Sequence, residues 1–157
     1  MKNIWAPWRI KYVACQKKSS GCIFCKKAKS KKDKQNLVLM RAKHSFVLMN
    51  VYPYNNGHIM AAPYRHVKDL NSLSNEEFIE LFSLIKEMES KLKKVLSPDG
   101  FNIGINVGTA AGAGIRGHLH VHLVPRWTGD TGFMSVTSDI KIIAQSLAEL
   151  YKVLTEK

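Results

Sequence analysis

His118-Leu119-His120-Val121-His122-Leu123-Val124-Pro125 sets three imidazoles two residues apart among apolar neighbours. Successive side chains of a β-strand point to opposite faces. The pattern therefore predicts a strand over 117–124 with His118, His120 and His122 on one face, about 6.6 Å apart, and Leu119, Val121 and Leu123 on the other. Pro125 has no amide hydrogen to give a ladder and is expected to end it. Ahead of it lies the glycine-rich loop Gly108-Thr109-Ala110-Ala111-Gly112-Ala113-Gly114, and 101–107 reads as the partner strand of a hairpin. One histidine on a sheet face needs no special reading, but three of the chain's six on one face do.

Further upstream, apolar segments 36–40, 45–51 and 58–62 are separated by turn residues, notably Tyr52-Pro53-Tyr54-Asn55-Asn56-Gly57. They predict antiparallel strands. At Ser74 the period changes. Ser74-Asn75-Glu76-Glu77 is a capping box, and Phe78, Leu81, Phe82, Ile85, Met88, Leu92 and Val95 follow at helical spacing until Pro98 and Gly100. A second helix is expected over 139–154, with Ile140, Ile143, Leu147, Leu150 and Leu154 on its apolar face. The fold class is α+β: an antiparallel sheet with one long helix packed on it, plus a C-terminal helix.

The 157 residues suit one domain able to bury a core without disulfide staples. No apolar run approaches the ~18 residues of a membrane span, and the start lacks the apolar core of a signal peptide, so a soluble, cytoplasmic protein is expected. Net charge is +12. Residues 1–34 hold eleven of the 24 bases and one of the 12 acids, Asp33, which puts +10 there and +2 on the rest. A polyanion should meet this basic arm first, although such charge runs are also ordinary solvated segments. Cys22-Ile23-Phe24-Cys25 plus a lone Cys15 is an odd count that fits a reduced compartment, with a metal-binding or redox pair, better than a disulfide framework.

Two chemistries suit the histidines. A His-x-His strand can hold zinc with an open position for water, or one imidazole can be a nucleophile that its neighbours orient. The preceding loop favours the second. Gly108, Gly112 and Gly114 allow backbone N–H groups to approach an anion, and Asn106 adds an amide at the edge, as a phosphate site requires.

With these residues the chain resembles the histidine-triad (HIT) superfamily of nucleotide hydrolases and transferases. The likeness covers roughly 36–127 through His-x-His-x-His, Asn50, and Gly57-His58-Ile59-Met60-Ala61-Ala62-Pro63-Tyr64-Arg65-His66. Ile4-Trp5-Ala6-Pro7-Trp8-Arg9, Tyr52-Pro53-Tyr54-Asn55, 118–127 and Gly129-Asp130 look most like its bacterial diadenosine-polyphosphate phosphorylase branch. The resemblance implies a HIT-type catalytic domain over 35–157. His120 would be the nucleophile on the α-phosphorus and His122 a phosphate contact, while the His118 carbonyl fixes the His120 tautomer. Asn50 would bind ribose and Asn106 phosphate or leaving group. Relatives often carry Ser or Thr in the loop, whereas this chain has Ala113-Gly114-Ile115-Arg116-Gly117, so backbone N–H groups must serve there and Arg116 becomes a candidate for the leaving polyphosphate. Phe46, Leu48 and Val51 are the expected apolar base pocket. His58 matches a position where relatives carry histidine and is expected to orient polar neighbours, while His44 is expected at the surface.

Cys-x-x-Cys needs two further ligands to hold zinc. Distant relatives, the galactose-1-phosphate uridylyltransferases, hold a structural zinc at positions that correspond to Cys22, Cys25, His66 and His118. The resemblance thus implies structural Zn in a knuckle that staples residues 1–34 to the triad. A merely reduced dithiol or a redox pair is the competing reading. The expected function is cleavage of dinucleoside polyphosphates, such as diadenosine tetraphosphate, or related nucleotide anhydrides through a nucleotidyl-histidine, by a homodimer without membrane association. The alternatives are a nucleotide- or RNA-binding regulatory module, with nucleic acid held by the basic arm, and a zinc hydrolase that uses all three triad histidines.

Overall fold

The computed structural model describes residues 21–115, 117–131 and 143–156. Expectations for Cys15, for the bases Lys2, Arg9, Lys11, Lys17 and Lys18, for Arg116 and for residues 139–142 lie outside the described residues. The chain runs through helix α1 (Ile23–Lys29), one helical turn α2 (Asp33–Asn36), strands β1 (Val38–Arg41), β2 (Ser45–Met49) and β3 (Ile59–Pro63), and the long helix α3 (Asn75–Leu96). Strands β4 (Gly100–Ile105) and β5 (Val121–Arg126) and helix α4 (Leu147–Thr155) follow. The five strands pair antiparallel in the order β1-β2-β3-β5-β4. The α+β expectation is borne out.

Helix α3 starts where the capping box places it. Glu77 N–H donates to the Ser74 hydroxyl at 3.2 Å, and Ser74 N–H returns a bond to the Glu77 carboxylate at 2.8 Å. That carboxylate also takes a forked pair from Arg65, 2.6 Å each, and the guanidinium holds it down to about 2. The face of α3 that meets the sheet carries Leu81, Leu84, Ile85, Met88 and Leu92, packed on Val47, Met49, Ile59, Ala61, Val121 and Leu123. Phe78 and Phe82, expected on this face, sit to its side and are exposed, with their rings 4.8 Å apart. Leu150 and Leu154 of α4 complete the layer.

The other sheet face buries Phe46 and Leu48 of β2 and Met60 and Ala62 of β3 under Phe24 of α1. The lysine-rich run 26–34 is therefore built onto the sheet. Arg41 gathers the end of α1 by donating to the carbonyls of Lys27, Ala28 and Ser30 at 3.0, 3.0 and 2.6 Å, and it pairs with Asp33 at 2.7 Å. The carbonyls left over at a helix C-terminus thus meet a cation, as the helix dipole favours.

Asn36, expected to open the first strand, ends α2, and the bounds of β1 to β4 move by at most two residues, but two starts differ more. Helix α4 begins at Leu147 rather than 139, since residues 143–146 are not helical and Ser146 with Glu149 forms its own capping box. Strand β5 begins at Val121 and runs through Pro125 to Arg126. Pro125 is tolerated because it faces Phe101 of β4, while β3 pairs with β5 only from Ile59 to Ala61. No described helix is long and apolar enough to cross a membrane.

Candidate functional site

The triad enters the sheet from a sharp bend. Gly117 adopts a left-handed φ of +75°, and a side chain there would stand 3.2 Å from His66 Nε2. His118 and His120 therefore precede the β5 ladder. Leu119 N–H donates to the Val67 carbonyl at 2.7 Å, and His118 Nε2 donates to the Pro63 carbonyl at 2.9 Å, which takes the acceptor that a longer ladder would have used. All three rings stand on the α1 side of the sheet. Phe24 packs against His118 and His120 with ring centres 5.1 and 4.8 Å away, while Leu119, Val121 and Leu123 are buried.

Each ring has a different assignment. His118 uses Nε2 on Pro63 and turns Nδ1 to the thiols of Cys22 (3.2 Å) and Cys25 (3.5 Å). No ring nitrogen is left for a substrate, so the expected catalytic part of His118 reduces to its carbonyl. His120 Nδ1 donates to that carbonyl at 2.9 Å, because a carbonyl can only accept, and this leaves Nε2 with a lone pair. Burial holds the His120 ring below the usual imidazole range, although its carbonyl partner favours the charged form.

His122 Nδ1 lies 2.8 Å from Nε2 of His58. His58 is buried, and burial with the charges of His122 and His120 pushes it down to about 3. Burial followed by His120 sets His122 at about 4. The turn before His58 requires Gly57, whose φ is +76° and whose absent Cβ would stand 2.7 Å from Leu96 Cδ1 and 2.9 Å from Pro125 Cγ. The exposed Tyr54 ring leans over His58 and His122 at 4.6 and 5.8 Å.

The remaining expected residues divide. Asn50 commits its amide locally: Oδ1 accepts from Tyr52 N–H at 2.9 Å, and Nδ2 sits 3.3 Å from His58 Nδ1. Asn106 lines a cavity of about 270 Å³ with Lys68, Asp69, Thr109 and His118. Gly112 donates its N–H to the Thr109 carbonyl at 3.1 Å, so that amide is spent inside a 3-10 turn rather than presented to an anion, while Gly114 is exposed. Phe46 and Leu48, expected to line a base pocket, are core residues closed off by Phe24 and by Tyr64, which stacks on Phe46 at 5.4 Å. Val51 is exposed. His44, expected at the surface, is half-buried, and its backbone N–H donates to Glu80 at 2.7 Å.

Cys22 occupies the N-cap position of α1 without a side-chain cap bond, and Cys25 lies in its first turn. Cys25 Sγ stands 3.3 Å from His66 Nδ1, and one donor atom each from Cys22, Cys25, His66 and His118 lie within 4.8 Å of one another. A tetrahedral zinc with Zn–S near 2.3 Å and Zn–N near 2.0 Å needs donors roughly 3.3–3.8 Å apart. The sulfur–nitrogen distances of 3.2, 3.3 and 3.5 Å fall near that range, donors as far apart as 4.8 Å would have to draw in, and soft sulfur and imidazole donors suit that ion.

Three residues of this constellation escaped the sequence reading. Phe24 enters that reading only as part of Cys-x-x-Cys, and Tyr54 and Asn55 only within the 52–57 turn and the family likeness, with no site role given to any of them. The signal for Phe24 was its large apolar ring inside an otherwise cationic stretch.

A model of the HIT domain matches residues 31–129. The AP-4-A phosphorylase of Mycobacterium tuberculosis is 35% identical over 161 residues, covering 98% of this chain and 83% of that protein. The asymmetrical bis(5'-nucleosyl)-tetraphosphatase of Schizosaccharomyces pombe is 34% identical over 115 residues, covering 73% of this chain and 63% of that protein. Among solved structures, a zinc-bound histidine triad family protein from Mycobacterium smegmatis superposes with a TM-score of 0.69 at 24% identity, covering 86% of this chain and 91% of that one. The chain belongs to the HIT family.

Proposed function

We propose that this protein cleaves dinucleoside polyphosphates, such as diadenosine tetraphosphate, through a covalent nucleotidyl-His120. It is an enzyme of the HIT-family nucleotidyl hydrolase or phosphorylase kind. The observation that carries the covalent step is the 2.9 Å bond from His120 Nδ1 to the His118 carbonyl, which leaves the Nε2 lone pair free to attack.

In the first step Nε2 attacks the α-phosphorus. A P–N bond forms, the P–O bond to the polyphosphate breaks, and the oxygen leaves with its electrons. In the second step an oxygen of water or inorganic phosphate attacks the same phosphorus and the P–N electrons return to Nε2. One difficult displacement thereby becomes two easier ones. His122 binds the phosphate, Asn106 serves the phosphate or leaving group, and Gly114 of the loop serves the phosphate, while the Gly112 amide is spent within its own turn. Asn50 serves the ribose through whatever bonding its turn leaves.

Zinc is part of this reading, held by Cys22, Cys25, His66 and His118. It would fix α1 to the bend before His120 and supplies no step of the reaction. Residues 1–34, with the knuckle, are then an N-terminal extension of a catalytic domain over 35–157. A homodimer is expected from the family likeness, and the exposed Phe78, Ile79 and Phe82 of α3 offer apolar surface for it.

The test is to incubate the protein with diadenosine tetraphosphate, with and without phosphate, and identify the products. Phosphorolysis gives ADP and ATP, and hydrolysis gives AMP and ATP. A folded His120→Asn variant should lose turnover by several orders of magnitude while still binding nucleotide. Full activity in that variant would refute the covalent step.

A further inference from the structure

The third triad histidine belongs to a hydrogen-bonded chain that begins at a backbone amide outside the triad. Tyr54 N–H donates to His58 Nδ1 at 3.1 Å. An amide hydrogen cannot move, so His58 Nδ1 is an acceptor and its proton sits on Nε2. Nε2 is 2.8 Å from His122 Nδ1, and such a contact needs one donor and one acceptor. His58 is the donor, which makes His122 Nδ1 the acceptor and places the His122 proton on Nε2. The triad thus holds two opposite tautomers: His120 carries its proton on Nδ1 and His122 on Nε2.

What fixes Tyr54 is the residue after it. Asn55 is buried, and its Nδ2 donates to the Pro125 carbonyl at 3.0 Å and to Asp130 Oδ2 at 2.8 Å. Its Oδ1 accepts from Asn56 N–H at 3.1 Å, and its carbonyl accepts from His58 N–H at 3.2 Å. Asp130 is held in turn by Arg126 at 2.7 and 2.9 Å and by Trp127 N–H at 3.2 Å. The end of β5 therefore clamps the 52–57 turn, and the turn aims one amide at His58.

We propose that Asn55 and Asp130 are positioning residues that, through the Tyr54 amide and His58, lock His122 as an Nε2–H donor aimed at the phosphate. This rests on the phosphate-binding site proposed above and adds a role to it. A further proton on His122 Nδ1 would face the His58 Nε2 proton, and His58 could move that proton only to the nitrogen already facing the Tyr54 amide. His122 therefore gives a hydrogen bond to the charge that develops on phosphate oxygens and cannot act as a general base.

The tautomers are read directly in the free protein by long-range 1H–15N correlation on the full histidine-labelled chain. The expected spectrum shows Nε2 protonated in His58 and His122 and Nδ1 protonated in His120. An Nδ1-protonated or mixed His122 overturns the proposal. In Asn55→Ala, with its fold verified by an unchanged His120 pattern, a second tautomer should appear at both His58 and His122. Its kcat should fall roughly 10- to 100-fold with little change in KM, whereas unchanged tautomers overturn the role of Asn55. If that variant does not fold, Asp130→Asn replaces it with the same expectations. Because the spectrum needs no substrate, failure to cleave dinucleoside polyphosphates would count against the proposed activity and leave the tautomer result standing.

Discussion

The carbonyl of His118 accepts from Nδ1 of His120 at 2.9 Å, while the ring of His118 faces the thiols of Cys22 and Cys25. One residue thus joins the cysteine cluster to the Nδ1–H of His120, the bond that leaves Nε2 of that ring with its lone pair. Removing both thiols by Cys22→Ser with Cys25→Ser should reduce bound zinc to background, because two imidazoles alone hold the ion poorly. The melting temperature should fall, by roughly 2–4 °C for each kcal/mol lost in a chain of this size. On the proposed reading the ion would only position α1 and the bend, so turnover should drop without vanishing. Metal analysis of the purified variant decides the matter: zinc retained at the level of the unaltered protein would point instead to ligation by the triad.

Phe24 is fully buried and touches both His118 and His120, so its packing belongs to the core and to the site together. Phe24→Ala should cost about 3–5 kcal/mol by transfer and cavity terms, measured by urea denaturation. Phe24→Leu keeps most of the volume and should cost under about 1.5 kcal/mol, yet it removes the flat surface against the two imidazoles. Lower kcat in the folded Leu variant is expected. An unchanged kcat there would mean that the ring only fills space.

The sheet, the long helix and the triad face were legible because each rests on local periodicity: period two through residues 118–123, and the capping box with apolar spacing from Ser74. The Cys-x-x-Cys partners were legible through resemblance alone, since nothing local links Cys22 to a histidine 96 residues away. What could not be read was which large side chain fills which hollow. Phe46 and Leu48 looked like a base pocket because the sequence does not say that Phe24 from the cationic segment closes over them. Phe78 and Phe82 fit the helical stripe as well as Leu84 does, and only the angle at which α3 meets the sheet separates them. Pairing also set the start of β5, because the Gly117 bend and the His118–Pro63 bond displace the ladder to Val121.

Gly57 couples the 52–57 turn to the end of α3. A methyl group there would meet Leu96 Cδ1 at 2.7 Å and Pro125 Cγ at 2.9 Å, in a backbone conformation with φ of +76°. Gly57→Ala therefore combines left-handed strain of about 1–2 kcal/mol with overpacking of about 1–3 kcal/mol. Denaturation should show a loss of roughly 2–5 kcal/mol from those two effects. Because His58 is the next residue, kcat should fall as well. A variant as stable as the parent would mean that the turn does not hold this conformation in solution.

Acid should destabilise the fold through His58. Burial first, then the neighbouring His122 and His120, lowers its ring from 6.5 to about 3. Above the unfolded value both states are neutral and stability does not depend on this group. As pH falls below about 6.5 the unfolded chain takes up a proton that the folded chain refuses, so stability drops progressively until pH nears the folded value. The slope approaches 1.4 kcal/mol per pH unit, which makes the loss at about pH 5 at most about 2 kcal/mol. His58→Asn removes the titrating ring and should flatten that part of the curve. Urea unfolding of both proteins at about pH 7 and about pH 5 isolates the effect, since the cysteines and the other histidines are common to the two. If both lose the same stability over that interval, His58 is protonated in the fold, and the geometry that makes it a neutral donor to His122 is wrong.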